Sequence, residues 1–353
     1  MFFRAIGTAT PARRYTKAEC LHAFEQSAWF ARLDQRSHIL ARAVMKRDNG
    51  IEARRLALES LDDAFSIDPD TLSRRFRAHA PSIAADAART ALERAALAPG
   101  AIGAVIVSTC TGYLCPGLSG YLIEALGLRG DVQAFDLVGQ GCAAALPNFR
   151  LGRALLDSAT CEHVLSVCVE VSSAAMYLDD DPGVIISACL FGDGAGAAVL
   201  SQRAAPDAPR VEWIDSQSST EPAHRAALMF EQRAGMLRNI LTREVPALAA
   251  LHARRVADTV LARAALSIGD VRAWIMHAGG RDVLAAIAQR FELDDDALRY
   301  SAAMLREYGN LSSAFVYFVL AAALEDGAED GWWWLSSFGA GFSCHGALLR
   351  VHR

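Results

Sequence analysis

The stretch "TALERAALAPGAIGAVIV", residues 90–107, returns as "TVLARAALSIGDVRAWIM" at residues 259–276. Nine residues are identical at one constant offset of 169 positions, from Thr90/Thr259 and Leu92/Leu261 through Gly100/Gly269 to Ala104/Ala273 and Ile106/Ile275. Each copy reads as an amphipathic helix, a glycine turn and a short apolar strand. Alanine-rich helices share some identities by chance, but the shared turn and strand do not follow from composition. A weaker echo links "FGDGAGAAVLS" (191–201) to "FGAGFSCHGALLRV" (338–351), each a glycine-rich turn feeding an apolar strand. The pattern predicts two related α/β halves, 1–205 and 206–353, joined by the polar "SQRAAPDAPR". Apolar strands alternating with long helices imply sheets covered on both faces. Two such repeats packed together predict a layered α-β-α-β-α sandwich with functional side chains gathered at the junction.

The bulk properties narrow the function. A formal charge of −5, with cations scattered in short clusters, argues against nucleic acid as a partner. The longest apolar run, 314–324, has 11 residues, whereas a spanning helix needs about 20. It reads as a buried helix, and with no signal-peptide pattern at "MFFRAIGTATPARRY" the expected location is cytoplasmic. The eight cysteines form no CxxC pair, and no histidine belongs to an HExxH set, so neither a disulfide framework nor a metal site is expected.

Three stretches carry candidate chemistry. In "DLVGQGCAAALPNFRLG" (136–152), strand character runs to Val138 and helical spacing begins near Ala144, with Pro147 tolerated in the first turn. Cys142 then faces the unpaired N–H groups of a helix start, which is expected to lower its pKa, while Gly141, Ala143 and Ala144 leave room for a substrate. In "WIMHAGGRD", His277 ends the repeated strand of the second half, the end where open α/β sheets place their sites; a satisfied core histidine is the rival reading. Gly279 and Gly280 behind it permit close backbone approach. In "REYGNLSSAFVYFVL", Asn310 is either an N-cap or an amide donor to a substrate carbonyl.

Taken together, GQGC, HAGG and YGNLSSA in that order resemble the type III polyketide synthases, the chalcone-synthase-like enzymes. The likeness extends to "GIEARR", "CTGYLCPG", "FGDGAGAAVL" and the closing "FGAGF". It implies a homodimeric thiolase-like fold that uses acyl-CoA and malonyl-CoA and needs no metal or redox cofactor. Cys142 would carry the growing chain as a thioester and form an ion pair with His277, and His277 with Asn310 would stabilise the enolate left by decarboxylation. Lys46, Arg47, Arg54, Arg55 and Arg281, with Gly279 and Gly280, are candidates for holding the CoA, although ordinary surface cations explain the charges equally well. Ala278 and Ala340 stand where plant members usually have proline. These changes loosen loops without removing a reactive group.

The resemblance also implies a cavity. Phe191 would guard it, with Cys110, Thr111, Ser172, Ala175, Ser187 and Ser312 on its wall, and Cys115 would reach into the partner's cavity. Small groups at Ser172 and Ala175 suit a long fatty acyl starter and an alkylpyrone or alkylresorcinol product. Cys110 suits instead a naphthalene-forming enzyme that uses malonyl-CoA alone. A ketoacyl-carrier-protein synthase III shares the three reactive residues but differs after the histidine. A non-catalytic thiolase-fold scaffold would have no reason to keep all three.

Overall fold

The computed structural model describes residues 1–206, 209–294 and 296–353. Positions 207 and 208 of the expected linker therefore lie outside the described residues. The repeat of residues 90–107 at 259–276 is a repeat in space. Helix Pro69–Arg94, the turn Pro99–Ala101 and strand Ala104–Ser108 are matched by helix Val245–Arg263, the turn Ile268–Asp270 and strand Val271–Met276. The correspondence reaches the helix caps. Ala96 (φ 51°) and Ala265 (φ 55°) both take the left-handed conformation. The next amide reaches back five residues in each copy, Leu97 to the Leu92 carbonyl at 3.1 Å and Leu266 to that of Leu261 at 2.9 Å. This is the Schellman closure that usually employs glycine. Both copies keep alanine there.

Nine strands hydrogen-bond in one continuous order: 271–276, 331–339, 343–352, 210–220, 2–9, 194–201, 163–170, 104–108, 133–137. Read inward from either side, the first repeated strand pairs parallel with its neighbour, Ala104–Ser108 with His163–Glu170 and Val271–Met276 with Gly331–Gly339. Two antiparallel partners then follow on each side. The halves join antiparallel at the centre through Phe2↔Glu212 and Phe3↔Val211. The first half adds Gln133–Leu137 as an edge strand.

Helices cover this array in layers. Pro69–Arg94 packs on the first-half strands and Val245–Arg263 on the second-half strands, while Ala145–Asp157 and Phe315–Glu325 lie between the halves. The two inner helices touch through Phe149 and Tyr317, rings 5.1 Å apart. Tyr317 packs so closely on strand Gly194–Ser201 that a Cβ at Gly196 would sit 2.3 Å from it, so only glycine fits. The apolar run 314–324 is the buried helix expected of it. Among the described residues, no helix is long and apolar enough to cross a membrane.

Candidate active site

The strand Gln133–Leu137 ends one residue before the expected Val138, and the chain turns through Gly139 (φ 83°) and Gly141 (φ 52°). Cys142 occupies the middle of a 3-10 turn, Gly141–Ala143, that runs into helix Ala145–Asp157. Pro147 sits in the first turn, as anticipated, but has no N–H to offer the carbonyl four residues back. The Ser337 hydroxyl donates to that carbonyl, Ala143 O, at 3.1 Å. The nucleophile turn is thereby fastened to strand Gly331–Gly339 of the other half.

The same strand holds the histidine loop. His277 follows Val271–Met276 and donates its backbone N–H to the Ser336 carbonyl at 2.9 Å. Its ring is 1% exposed and meets Phe315 and Phe338 edge-on, at centroid distances of 5.4 and 5.0 Å. Neither ring nitrogen has a hydrogen-bond partner. Burial pushes its pKa down to about 3, so the ring is neutral.

Asn310 ties the third loop to the second. Its amide donates to the Gly279 carbonyl at 3.0 Å, and its Oδ1 accepts the Ser312 N–H at 2.8 Å. Its backbone is locked to the Phe191 turn through Asn310 N to Leu190 O (2.9 Å) and Gly192 N to Asn310 O (3.0 Å). The side chain therefore bridges loops and does not cap helix Phe315–Glu325. Ser312 holds a positive φ of 50°, a conformation that costs on the order of 1–3 kcal/mol for a non-glycine residue. In that pose its hydroxyl donates to Cys142 Sγ at 3.2 Å. Cysteine, histidine and asparagine loops converge where the two halves meet.

The expected depression of the Cys142 pKa is not found. The Ser312 hydroxyl and the backbone favour the thiolate, but burial outweighs them and pushes the thiol up to about 12. Burial therefore opposes the charged forms of both Cys142 and His277.

Glu170 does not stand out in the sequence. It ends strand His163–Glu170 with no exposure and accepts from Cys110 N (3.1 Å), Thr111 Oγ1 (2.9 Å), Thr109 Oγ1 (3.3 Å), Cys110 Sγ (3.3 Å) and the Ser313 hydroxyl, with Ser312 Oγ 3.3 Å away. Burial raises its pKa against the pull of these donors. The available signal is one acidic residue closing the apolar run "VLSVCVEV".

A cavity of about 40 Å³ opens beside Ser312. Phe191, Cys110, Thr111, Ser172, Ala175, Ser187 and Ser312 all line it, as anticipated, and Leu56, Met176, Phe230 and Asn239 join them. Cys115 is exposed and does not line it. The cationic candidates divide. Lys46 is exposed, Arg47 pairs with Asp282 at 3.0 Å and Arg281 with Asp48 at 3.2 Å, all on the surface. Arg55 bonds Glu307 and the Ala12 carbonyl. The expectation for Arg54 is corrected: it is only 7% exposed, and its Nη1 donates to Ala188 O and Phe191 O at 2.8 and 3.1 Å. A cation enclosed in this way supports the Phe191 turn and cannot meet a phosphate at the surface. Gly279 (φ 61°) lies under the Phe338 ring, and Gly280 precedes helix Arg281–Phe291.

Fold and site together define an acyl-transferring enzyme of the thiolase-like class. The chain matches the family model described as FAE1/Type III polyketide synthase-like protein over residues 8–263, and that of the chalcone and stilbene synthases' C-terminal domain over residues 223–352. It is 27% identical over 331 residues to the 3,5-dihydroxyphenylacetyl-CoA synthase of Streptomyces toyocaensis, covering 91% of this chain and 82% of that protein. The crystal structure of PKS-I from the brown alga Ectocarpus siliculosus superposes with a TM-score of 0.90 at 26% identity, covering 99% of this chain and 97% of that one. The 1,3,6,8-tetrahydroxynaphthalene synthase of Streptomyces coelicolor A3(2) matches in fold with a TM-score of 0.90 at 23% identity, over 100% of both chains. The protein belongs to the type III polyketide synthase family.

Proposed function

We propose that the enzyme condenses malonyl-CoA repeatedly onto a long-chain fatty acyl starter held on Cys142 and releases an alkylpyrone or alkylresorcinol. The observation that carries the site assignment is His277, a buried imidazole with both nitrogens unpartnered. Leaving such a group unpaired costs about 1–3 kcal/mol, a penalty that a substrate oxygen at the ring would relieve.

In loading, Cys142 Sγ attacks the acyl-CoA carbonyl as its proton passes to one nitrogen of His277, and the CoA thiolate departs and takes that proton back. Neutral thiol and neutral imidazole make the thiolate a species formed during attack, not a resting state. In extension, the malonyl thioester loses carbon dioxide, and the resulting enolate oxygen receives hydrogen bonds from the His277 N–H and the second Asn310 amide hydrogen. A donor of this kind is typically worth about 3 kcal/mol. The enolate carbon attacks the Cys142 thioester, and the thiolate regenerated accepts the extended chain from CoA. The surface cations Lys46, Arg47 and Arg281 are proposed to meet the CoA phosphates, with Gly279 and Gly280 giving backbone clearance. The halves 1–205 and 206–353 would then act as one catalytic unit, the first bringing the cysteine and the second the histidine and asparagine.

The starter assignment rests on the cavity wall, where Ser172, Ala175 and Ser187 leave space beside Leu56, Met176 and Val184. A malonyl-CoA-only reaction is the second reading. It is favoured by Cys110, whose thiol is held between Glu170 and Ser312 and could bond a polar intermediate. Mass spectrometry of products from malonyl-CoA, with and without hexadecanoyl-CoA, separates the two. Products that require the acyl starter support the first reading, and an aromatic product from malonyl-CoA alone supports the second.

A homodimer is proposed as well. Tyr113 and Val138, 78% and 69% exposed, follow the adjacent parallel strands Ala104–Ser108 and Gln133–Leu137 at the sheet edge. An unpartnered edge flanked by large apolar groups is suited to burial against a second copy, with Cys115 in the same loop.

A further inference from the structure

Two buried polar atoms on residues that line the reaction cavity have no hydrogen-bond partner within the protein: Asn239 Oδ1 and Ser172 Oγ. Asn239 is 9% exposed and has no role in the steps above. Buried polar groups are nearly always partnered, so an orphan on a cavity wall points to something that enters the cavity. The amide oxygen accepts and cannot donate, whereas the serine hydroxyl does either. An aliphatic segment offers nothing to Oδ1, and a keto oxygen offers only another acceptor. An enol hydroxyl supplies the missing donor. Each enolised β-diketone unit of an extended chain carries one hydroxyl and one carbonyl, which suit the amide oxygen and the serine hydroxyl in turn. Ser312 lines the cavity and donates to Cys142 Sγ, so the newest units of a chain held on that sulfur lie at the cavity's start.

The strand that carries Asn239 is fixed from behind. Strands Leu228–Arg233 and Met236–Leu241 form a two-stranded hairpin apart from the main sheet, with Phe230 opposite Asn239, and both residues line the cavity. Arg238, the next residue along the strand, lies on the opposite face. It is 8% exposed and pairs with Asp179 at 3.0 Å, Asp181 at 3.1 Å and Glu231 at 3.0 Å. Asp181 also caps helix Pro182–Leu190, accepting from the Gly183 and Val184 amides, and Val184 and Ser187 of that helix belong to the cavity wall. Hairpin and helix approach so closely that a Cβ at Gly183 would sit 2.3 Å from the Leu241 carbonyl oxygen. One enclosed guanidinium thus sets the amide of Asn239 against the helical side of the cavity.

We infer that Asn239 is a specificity residue that accepts a hydrogen bond from an enol hydroxyl of the growing β-keto chain, with Arg238 as the positioning residue that holds it in place. The inference rests on extension at Cys142 and not on the identity of the starter. A chain that displaces solvent from Oδ1 must bring a donor or lose affinity. An enolised chain brings one, so its further extension competes better with its release. The experiment measures products by mass spectrometry from malonyl-CoA with hexanoyl-CoA, and from malonyl-CoA alone. It compares the wild type with Asn239→Leu, Asn239→Asp and Arg238→Met, each checked for fold by circular dichroism. The readout is the ratio of longer to shorter extension products, which does not depend on total activity. Asn239→Leu keeps the size of the side chain, removes the acceptor and should lower that ratio at least about fivefold. Asn239→Asp keeps an acceptor at the same reach and should retain most of the ratio, while Arg238→Met should lower it in the same direction as Asn239→Leu. An unchanged ratio in Asn239→Leu overturns the assignment while extension at Cys142 stands. An equal fall in the Leu and Asp variants overturns the acceptor role, and an unchanged ratio in Arg238→Met removes the positioning role. If the wild type forms no extended product from either mixture, the extension reading and the inference fall together.

Discussion

Cys142, His277 and Asn310 come from three segments more than 30 residues apart, and each is held by a different neighbour: Ser312 at the sulfur, two phenylalanines at the imidazole, the Gly279 carbonyl at the amide. Cys142→Ala should abolish product without loss of fold, as judged by product assay and circular dichroism. His277→Ala removes an enolate donor and should reduce carbon dioxide release from malonyl-CoA by about 10²–10³-fold. Burial also makes the fold sensitive to acid. His277 is held down to about 3 and His345 to about 4, against 6.5 for a free histidine. Above pH 6.5 both states are neutral and this stability is fully present. As pH falls from about 6.5 toward 4 the unfolded chain binds protons that the folded chain refuses. Each such proton steepens the loss by about 1.4 kcal/mol per pH unit. Urea unfolding between pH 7.5 and 5 should show the decline, and His345→Asn should flatten part of it. The three reactive residues are legible in the sequence because glycines flank each of them. Glu170 is not, because nothing in sequence tells an acidic strand end facing solvent from one enclosed by five donors.

The repeated helix–turn–strand unit is readable down to its turn, yet its left-handed alanines are not. Alanine at that position violates the usual glycine preference, and only the shared five-residue closure reveals that both copies tolerate it. The nucleophile turn is legible to the same degree. Sequence places Pro147 in the first turn of its helix, but the hydroxyl that compensates for it lies 190 residues away, on Ser337. Ser337→Ala should leave the Ala143 carbonyl unpaired and destabilise the protein by about 1–3 kcal/mol. Pro147→Ala restores an N–H in position to bond that carbonyl, so the double variant should recover part of the loss. A thermal-melt cycle of the four proteins measures the coupling, and strictly additive effects would disconnect the two residues.

For the whole molecule, duplication explains why the site lies where it does. Strands of both halves run into one sheet, and Ser312 of the second half reaches the sulfurs of Cys142 and Cys110 in the first. The basic residues are less legible, because sequence cannot separate a cation on a surface from one that props a turn: Arg54 and Arg55 are neighbours in the chain and have different surroundings. The proposed dimer predicts a sedimentation mass about twice the 37.9 kDa of the chain. Val138→Asp, at the exposed edge, should shift the protein toward monomer, and an unchanged dimer would move the interface elsewhere.

The central claim is that Cys142 carries the acyl chain. The direct measurement is to incubate the enzyme with hexadecanoyl-CoA alone, quench in acid, digest, and locate the added acyl mass by tandem mass spectrometry. The account predicts one acyl group on the peptide containing Cys142 and none in Cys142→Ala. An acyl group on Cys110, Cys115 or another cysteine, with Cys142 unmodified, would contradict it.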